Sequence, residues 1–134
     1  MAQVRDPQAM IAQMSPLLGE VRWCFVTASD PGQAIELMPR ALATFREEEG
    51  LSLIVPADAA RNAEFVAASY RRIILQVHSA LDGVGLTAAV SSALADAGIA
   101  CNVVAAFHHD HIFVPDEAAG QALAILERLA ATAA

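Results

Sequence analysis

Lysine is missing from this 134-residue sequence; all eight of its basic side chains are arginines, set against fifteen acids for a net charge of −7. An acidic chain is repelled by phosphate backbones, so nucleic acid is not expected as a direct partner. No basic run with interleaved aromatics offsets that repulsion. Also missing is any stretch near the ~18 to 20 uninterrupted apolar residues of a membrane helix. Hydrophobic residues make up 56% of the chain and mean hydropathy is +0.45. Much of that is alanine, which fills helices without making them greasy enough to span a bilayer, so no membrane partner is expected. The opening residues, Met1 to Pro7, lack the apolar core of a signal peptide, which makes cytoplasmic residence the expectation. Cysteine is scarce: Cys24 and Cys101 lie far apart in apolar, strand-like stretches and read as buried free thiols acting as small hydrophobes. There is no Walker motif, no dinucleotide fingerprint and no G-x-S-x-G setting for Ser79, Ser91 or Ser92. No enzyme activity, cofactor or resident metal is therefore expected.

What is present is a regular alternation of elements. Asp6-Pro7 opens a helix as N-cap and first helical residue, with Met10, Ile11 and Met14 at helical spacing until Pro16 stops it. Gly19 then breaks the chain before a strand over 22–27 (RWCFVT). Ser29-Asp30-Pro31-Gly32 reads as a turn, and 33–42 is ambiguous because Pro39 interrupts any helix there. A hairpin follows: 43–46 enters, Glu47-Glu48-Glu49-Gly50 makes a solvated tip, and 51–55 leaves with Leu51, Leu53 and Val55 alternating inward. A short helix over 58–68 precedes a strand over 71–79, with Ile73, Leu75 and Val77 on one face and Ile74, Gln76 and His78 on the other.

Leu86, Val90, Ala93, Leu94 and Ala97 form the apolar stripe of a helix that Gly98 ends. The strand over 100–107 carries Cys101, Val103, Ala105 and Phe107 on one face and Val104 and Ala106 on the other. Both faces are apolar, so both are expected to be covered, from within the chain or by a second copy. A turn at His109-Asp110 leads to a strand over 112–114, and Asp116 caps a last helix with Leu123, Leu126 and Leu129 on its core face. From Arg71 the order is strand, helix, strand, strand, helix, a βαββαβ unit short of its final strand. A half-finished sheet edge is a liability. The first half is expected to supply that strand, with 22–27 as the candidate.

The segment most informative about function runs over 78–102 (HSALDGVGLTAAVSSALADAGIACN). A strand enters a loop containing Gly83 and Gly85 and then a helix, whose unpaired N–H groups and positive dipole end suit a carboxylate. A tight strand-to-helix turn capped by Asp82 explains the same residues. Asn102 offers donor and acceptor on an apolar strand, either to a ligand or as a strand-start turn residue. His108-His109-Asp110-His111 places two histidines across an assumed two-residue hairpin. That falls short of a complete zinc set and fits turn chemistry or an interface better. His78 reads as a packed or interfacial histidine.

The run Asp82-Gly83-Val84-Gly85-Leu86-Thr87, followed by Ala97-Gly98-Ile99 and a strand, resembles the ACT-domain signature, with Val84 where many ACT domains carry proline. Further blocks resemble a family of short bacterial tandem-ACT proteins whose function is not established. They are Arg22–Thr27, Thr44-Phe45-Arg46-Glu47 with Glu49-Gly50-Leu51, Val77-His78-Ser79 with Val84–Val90, and Cys101-Asn102-Val103-Val104 with His109-Asp110-His111-Ile112-Phe113-Val114-Pro115. The modules are similar to those of lysine-sensitive aspartate kinases and cytosolic arginine sensors. The resemblance implies an α+β fold: a ferredoxin-like ACT fold of two interlocked βαββαβ-like halves (1–68 and 69–134), with antiparallel sheets and helices on one face. It implies a small-molecule-binding regulatory protein that senses an amino acid or related metabolite and acts as a homodimer. The alternative is an interaction module without ligand. Carried over by position, the ligand's polar end meets Ser79, Asp82, Gly83, Val84, Gly85, Leu86 and Thr87, and the neighbouring strand adds Cys101, Asn102 and Val103.

Overall fold

A computed structural model describes residues 3–134, and the chain forms two compact units: Met1–Glu20 with Arg71–Ala134, and Val21–Tyr70. In the first unit, Asp6 caps α1 (Pro7–Ala12), its carboxylate accepting the Ala9 N–H at 2.9 Å, as Asp-Pro at a helix start leads one to expect. The next strand differs from expectation. β1 (Pro16–Ala28) starts six residues before 22–27 and runs through Gly19. Proline is compatible with the first residue of a strand, where its missing donor matters least. Gly19 sits against the Arg72 carbonyl, 3.6 Å from where a Cβ would be, so neither residue breaks the chain.

Residues 16–20 of β1 lie beside β4 (Tyr70–Leu75), which is followed in the sheet by β6 (Asp110–Pro115) and β5 (Asn102–Ala105). The missing edge is thus filled from the first half, by the stretch just ahead of 22–27. Gln76 N–H to Met14 O at 2.6 Å and Arg71 Nε to Gly19 O at 2.8 Å tie it down. β5 and β6 pair antiparallel, Val103 opposite Ile112 and Val104 opposite His111. α4 (Leu86–Asp96) and α5 (Ala119–Ala133) pack with α1 over one face. There Met10, Ile73, Leu75, Val90, Leu94, Ile112, Val114 and Leu126 close a core, each buried branched side chain contributing on the order of 1.5–3 kcal/mol. Gly98 ends α4 as expected: at φ +73 it donates to Ala95 O, and Ile99 donates to Leu94 O, which makes a Schellman motif.

Three expectations change here. The strand expected over 71–79 ends at Leu75, and Val77 to Ser79 continues only as an isolated bridge from Ser79 to Val4. Both-sided cover is realised on β6, where Ile112, Phe113 and Val114 are all buried, rather than on β5, whose Val103 and Val104 are half-buried. Asp116 opens a 3-10 turn (Asp116–Ala118) ahead of α5 instead of capping it, and lies 3.7 Å from Arg71.

In the second unit the order is β2 (Ala43–Glu47), β3 (Gly50–Pro56), then the rest of β1, antiparallel throughout. Cys24, Val26, Leu53 and Val55 pack with Leu37 of α2 (Pro31–Leu37) and Ala59 and Ala60 of α3 (Ala57–Asn62). The expected turn at 29–32 is a helix start, since Asp30 caps α2 by accepting from Gly32 N–H at 3.1 Å. A 3-10 turn (Met38–Arg40) absorbs Pro39, and the helix expected over 58–68 is the six residues of α3 alone. Both cysteines are free, and burial raises the pKa of each thiol.

Candidate functional site

The site forms where β4 runs out. With its ladder finished, Ser79 bridges to Val4: Val4 N–H donates to His78 O at 2.8 Å and Ala80 N–H to Val4 O at 3.1 Å. Gly83 N–H then closes a turn on Ala80 O at 2.9 Å. Gly85, at φ +113, is the N-cap of α4, and no side chain among the described residues caps that helix. The first-turn N–H groups of Leu86 and Thr87 therefore lack a capping side chain, and both residues line a cavity of about 120 Å³ together with Ser79, Gly83 and Gly85. These are five of the ten residues that resemblance placed at a ligand.

The other five lie apart from the cavity. Asp82 is a surface residue ion-paired with Arg5, and Val84 is 76% exposed. Cys101 and Val103 pack against the core, and Asn102 sits exposed opposite Phe113. The remaining lining comes from Met10, Ala80, Leu81, Ala105, Ala106 and Asp110. Asp110 brings the wall its carboxylate, and Ser79 Oγ donates to Oδ2 at 3.4 Å. A signal for it was available. A ferredoxin-like order puts the third strand of the unit beside the first, so the residue opening β6 lies near the one closing β4.

The glycines have a reason unrelated to ligand approach. A Cβ at Gly85 would come 3.2 Å from Pro7 Cβ, and one at Gly83 would meet Ala80 O at 3.0 Å and Met10 Sδ at 3.2 Å. Glycine lets the loop lie against α1.

The histidine run is not a metal hairpin. Ala105 pairs with Asp110 and Ala106 N–H donates to His109 O, so the loop has four residues and His111 faces Val104 rather than His108. Arginine only donates, so Arg72 Nη1, 3.4 Å from His111 Nδ1, requires that nitrogen to accept. Burial, then the Arg72 guanidinium and His109, hold the His111 pKa below its ordinary value, with Asp110 opposing. His108 stacks near His78 and Phe107, with centroids 5.5 and 5.0 Å away. Among the described residues no three His, Cys, Asp or Glu side chains converge as a metal set.

The second unit presents the corresponding strand-to-helix loop beside a groove lined by Asp30, Gly32, Gln33, Glu36, Asn62, Ala63 and Glu64. There the helix start already carries Asp30 as its cap.

Comparison with known proteins bears on the whole chain. Models of the ACT domain match residues 4–72 and 67–128. The chain belongs to the ACT-domain family. As a tandem ACT chain it is 41% identical to a Vibrio cholerae protein of unknown function, described as a possible transport protein, with 92% of this chain and 94% of that one aligned at TM-score 0.80. An Agrobacterium tumefaciens protein is 20% identical (86% and 87% covered, TM-score 0.64). The ligand-free regulatory subunit of Thermus thermophilus aspartate kinase is 12% identical (87% and 97% covered, TM-score 0.62). At those identities the last two show the fold alone. No curated protein matches. The ACT modules mark a regulatory, ligand-binding type of chain, and among the described residues no helix is long and apolar enough to cross a membrane.

Proposed function

We propose that this tandem ACT chain is a cytoplasmic regulatory sensor of a free amino acid, bound in the cavity at the start of α4. One observation carries the reading: the residues of an uncapped helix start and the carboxylate-bearing Asp110 line the same small cavity. The N–H groups of the helix start and its partial positive charge take the ligand's α-carboxylate. Asp110, with Ser79 beside it, takes the α-ammonium. Asp82 is left its surface role with Arg5. The loop over α2 is a weaker candidate, because Asp30 already fills the carboxylate's place and Glu36 and Glu64 add like charge.

In the same reading the chain works as a homodimer, since β5 ends the sheet of its unit with Val103 and Val104 half-exposed, an edge that solution copies can cover. Light scattering behind a sizing column reports a dimer if this is right and a monomer if not.

A thermal-shift screen with each common amino acid at millimolar concentration tests the sensor. A ligand at a hundred times its Kd stabilises the folded state by about 2.7 kcal/mol, which is several degrees for a chain of this length. If none of them shifts the melting temperature, the sensor reading falls and a ligand-free interaction module takes its place.

A further inference from the structure

The inner wall of the cavity comes from α1, a helix outside the β4–α4–β5–β6 run that forms the rest. Met10 lines the cavity and is 1% exposed. Its Sδ and Cε lie 3.2 and 3.3 Å from where a Cβ on Gly83 would stand, so the thioether already touches the loop. α1 is held in place from several directions. Asp6 caps it, Val4 is hydrogen-bonded to both His78 and Ala80, Arg5 pairs with Asp82, and Pro7 lies against Gly85. Met10 therefore cannot withdraw without moving the loop that carries the helix start.

Size then decides what fits. An apolar cavity of about 150 Å³ takes benzene, with its six heavy atoms. The 120 Å³ here accommodates roughly five, which is the main chain of an amino acid with both carboxylate oxygens. We propose that Met10 is the specificity-determining residue of this site. It closes the inner end of the cavity and favours glycine, whose five heavy atoms match that room, with alanine and serine adding one and two heavy atoms beyond it. This rests on the amino-acid reading above and adds to it the ligand class and the residue that imposes it. Methionine suits the role because its unbranched thioether settles against an irregular wall. Met10→Ala removes Cγ, Sδ and Cε and opens the cavity inward, whereas Met10→Leu keeps most of the bulk.

The test is isothermal titration calorimetry on the full chain with glycine, L-alanine, L-serine, L-leucine and L-lysine, for the wild type, Met10→Leu and Met10→Ala. The wild type is expected to bind at least one of the first three ten times more tightly than leucine or lysine. Met10→Leu keeps that order, and Met10→Ala narrows the gap to leucine at least tenfold. Wild-type chain that binds leucine or lysine as well as the small three overturns the proposal, as does folded Met10→Ala with the original order. If Met10→Ala does not fold, Met10→Val takes its place in the same comparison. Binding with the wrong order refutes Met10 alone, whereas no binding of any amino acid by any of these proteins refutes the sensor reading and this proposal with it.

Discussion

Replacing Gly85 with alanine asks whether the glycine loop is shaped by α1. At φ +113 an L side chain is strained, at about 1–3 kcal/mol. The new Cβ would also stand 3.2 Å from Pro7 Cβ, inside the ~3.5–4.0 Å of an ordinary carbon contact, so α1 or the loop must give by a few tenths of an ångström. Alanine restricts the unfolded chain and returns about 0.5 kcal/mol. The net expectation is a loss of about 2 kcal/mol, or roughly 7 °C in Tm. Gly98 is the natural control: its φ is +73, but nothing lies within 4 Å of a Cβ there. Gly98→Ala is expected to lose about 1 kcal/mol, from backbone strain alone. Guanidinium unfolding of both variants, compared at unchanged m-value, gives the two numbers. If Gly85→Ala is no worse than Gly98→Ala, α1 does not press on the loop, and the argument that Met10 walls the cavity fails with it.

Three further outcomes are expected. Leu94, fully buried between α4 and the sheet, should lose about 3 kcal/mol as Leu94→Ala in a denaturation curve; a loss below ~1 kcal/mol would contradict the core described. Asp110→Asn should weaken amino-acid binding at least tenfold in calorimetry, the loss of a charged hydrogen-bond partner being worth about 1.5–3 kcal/mol. Asp82→Asn should leave binding unchanged, and the opposite pattern would move the ammonium site to Asp82. His111 supplies a pH dependence: its folded pKa is lowered, chiefly by burial, so below about 6.5 the unfolded chain binds a proton that the folded chain resists. Stability is full above that value and is lost as pH falls through it towards the lower folded pKa. Melting curves at pH 7.5 and 5.5 should show a smaller drop for His111→Gln than for the wild type, and equal drops would count against this origin.

Elements with a plain period were legible in the sequence. Ile73 and Leu75 alternate as a strand should, the stripe from Leu86 to Leu94 is helical, and Gly98 stops α4 by the geometry its position implied. β1 was misread at its start because Pro16 and Gly19 are breakers by local rule, and only a neighbouring strand makes them tolerable. The turn expected at 29–32 is a capped helix start, since Asp-Pro-Gly serves either purpose until something follows to pack on. At the site, Ser79 and the loop from Gly83 to Thr87 were identifiable because a strand-glycine-helix junction is local. Met10 was not, being brought there by packing, and Asp110, which the strand order could have placed, was obscured by the four-residue length of a hairpin loop that a bare His-His-Asp-His run does not reveal. The two glycines changed meaning as well, for what approaches them most closely is α1 of the same chain.

The central claim is that a small amino acid occupies the cavity between the α4 start and Asp110. It is tested most directly by following backbone amide NMR resonances while titrating the amino acid that gives the largest thermal shift. The account predicts saturable shifts concentrated in residues 79–89 and 105–110, together with Met10. Shifts centred instead on Asp30, Glu36 and Asn62, or no saturable shift at all, would contradict it.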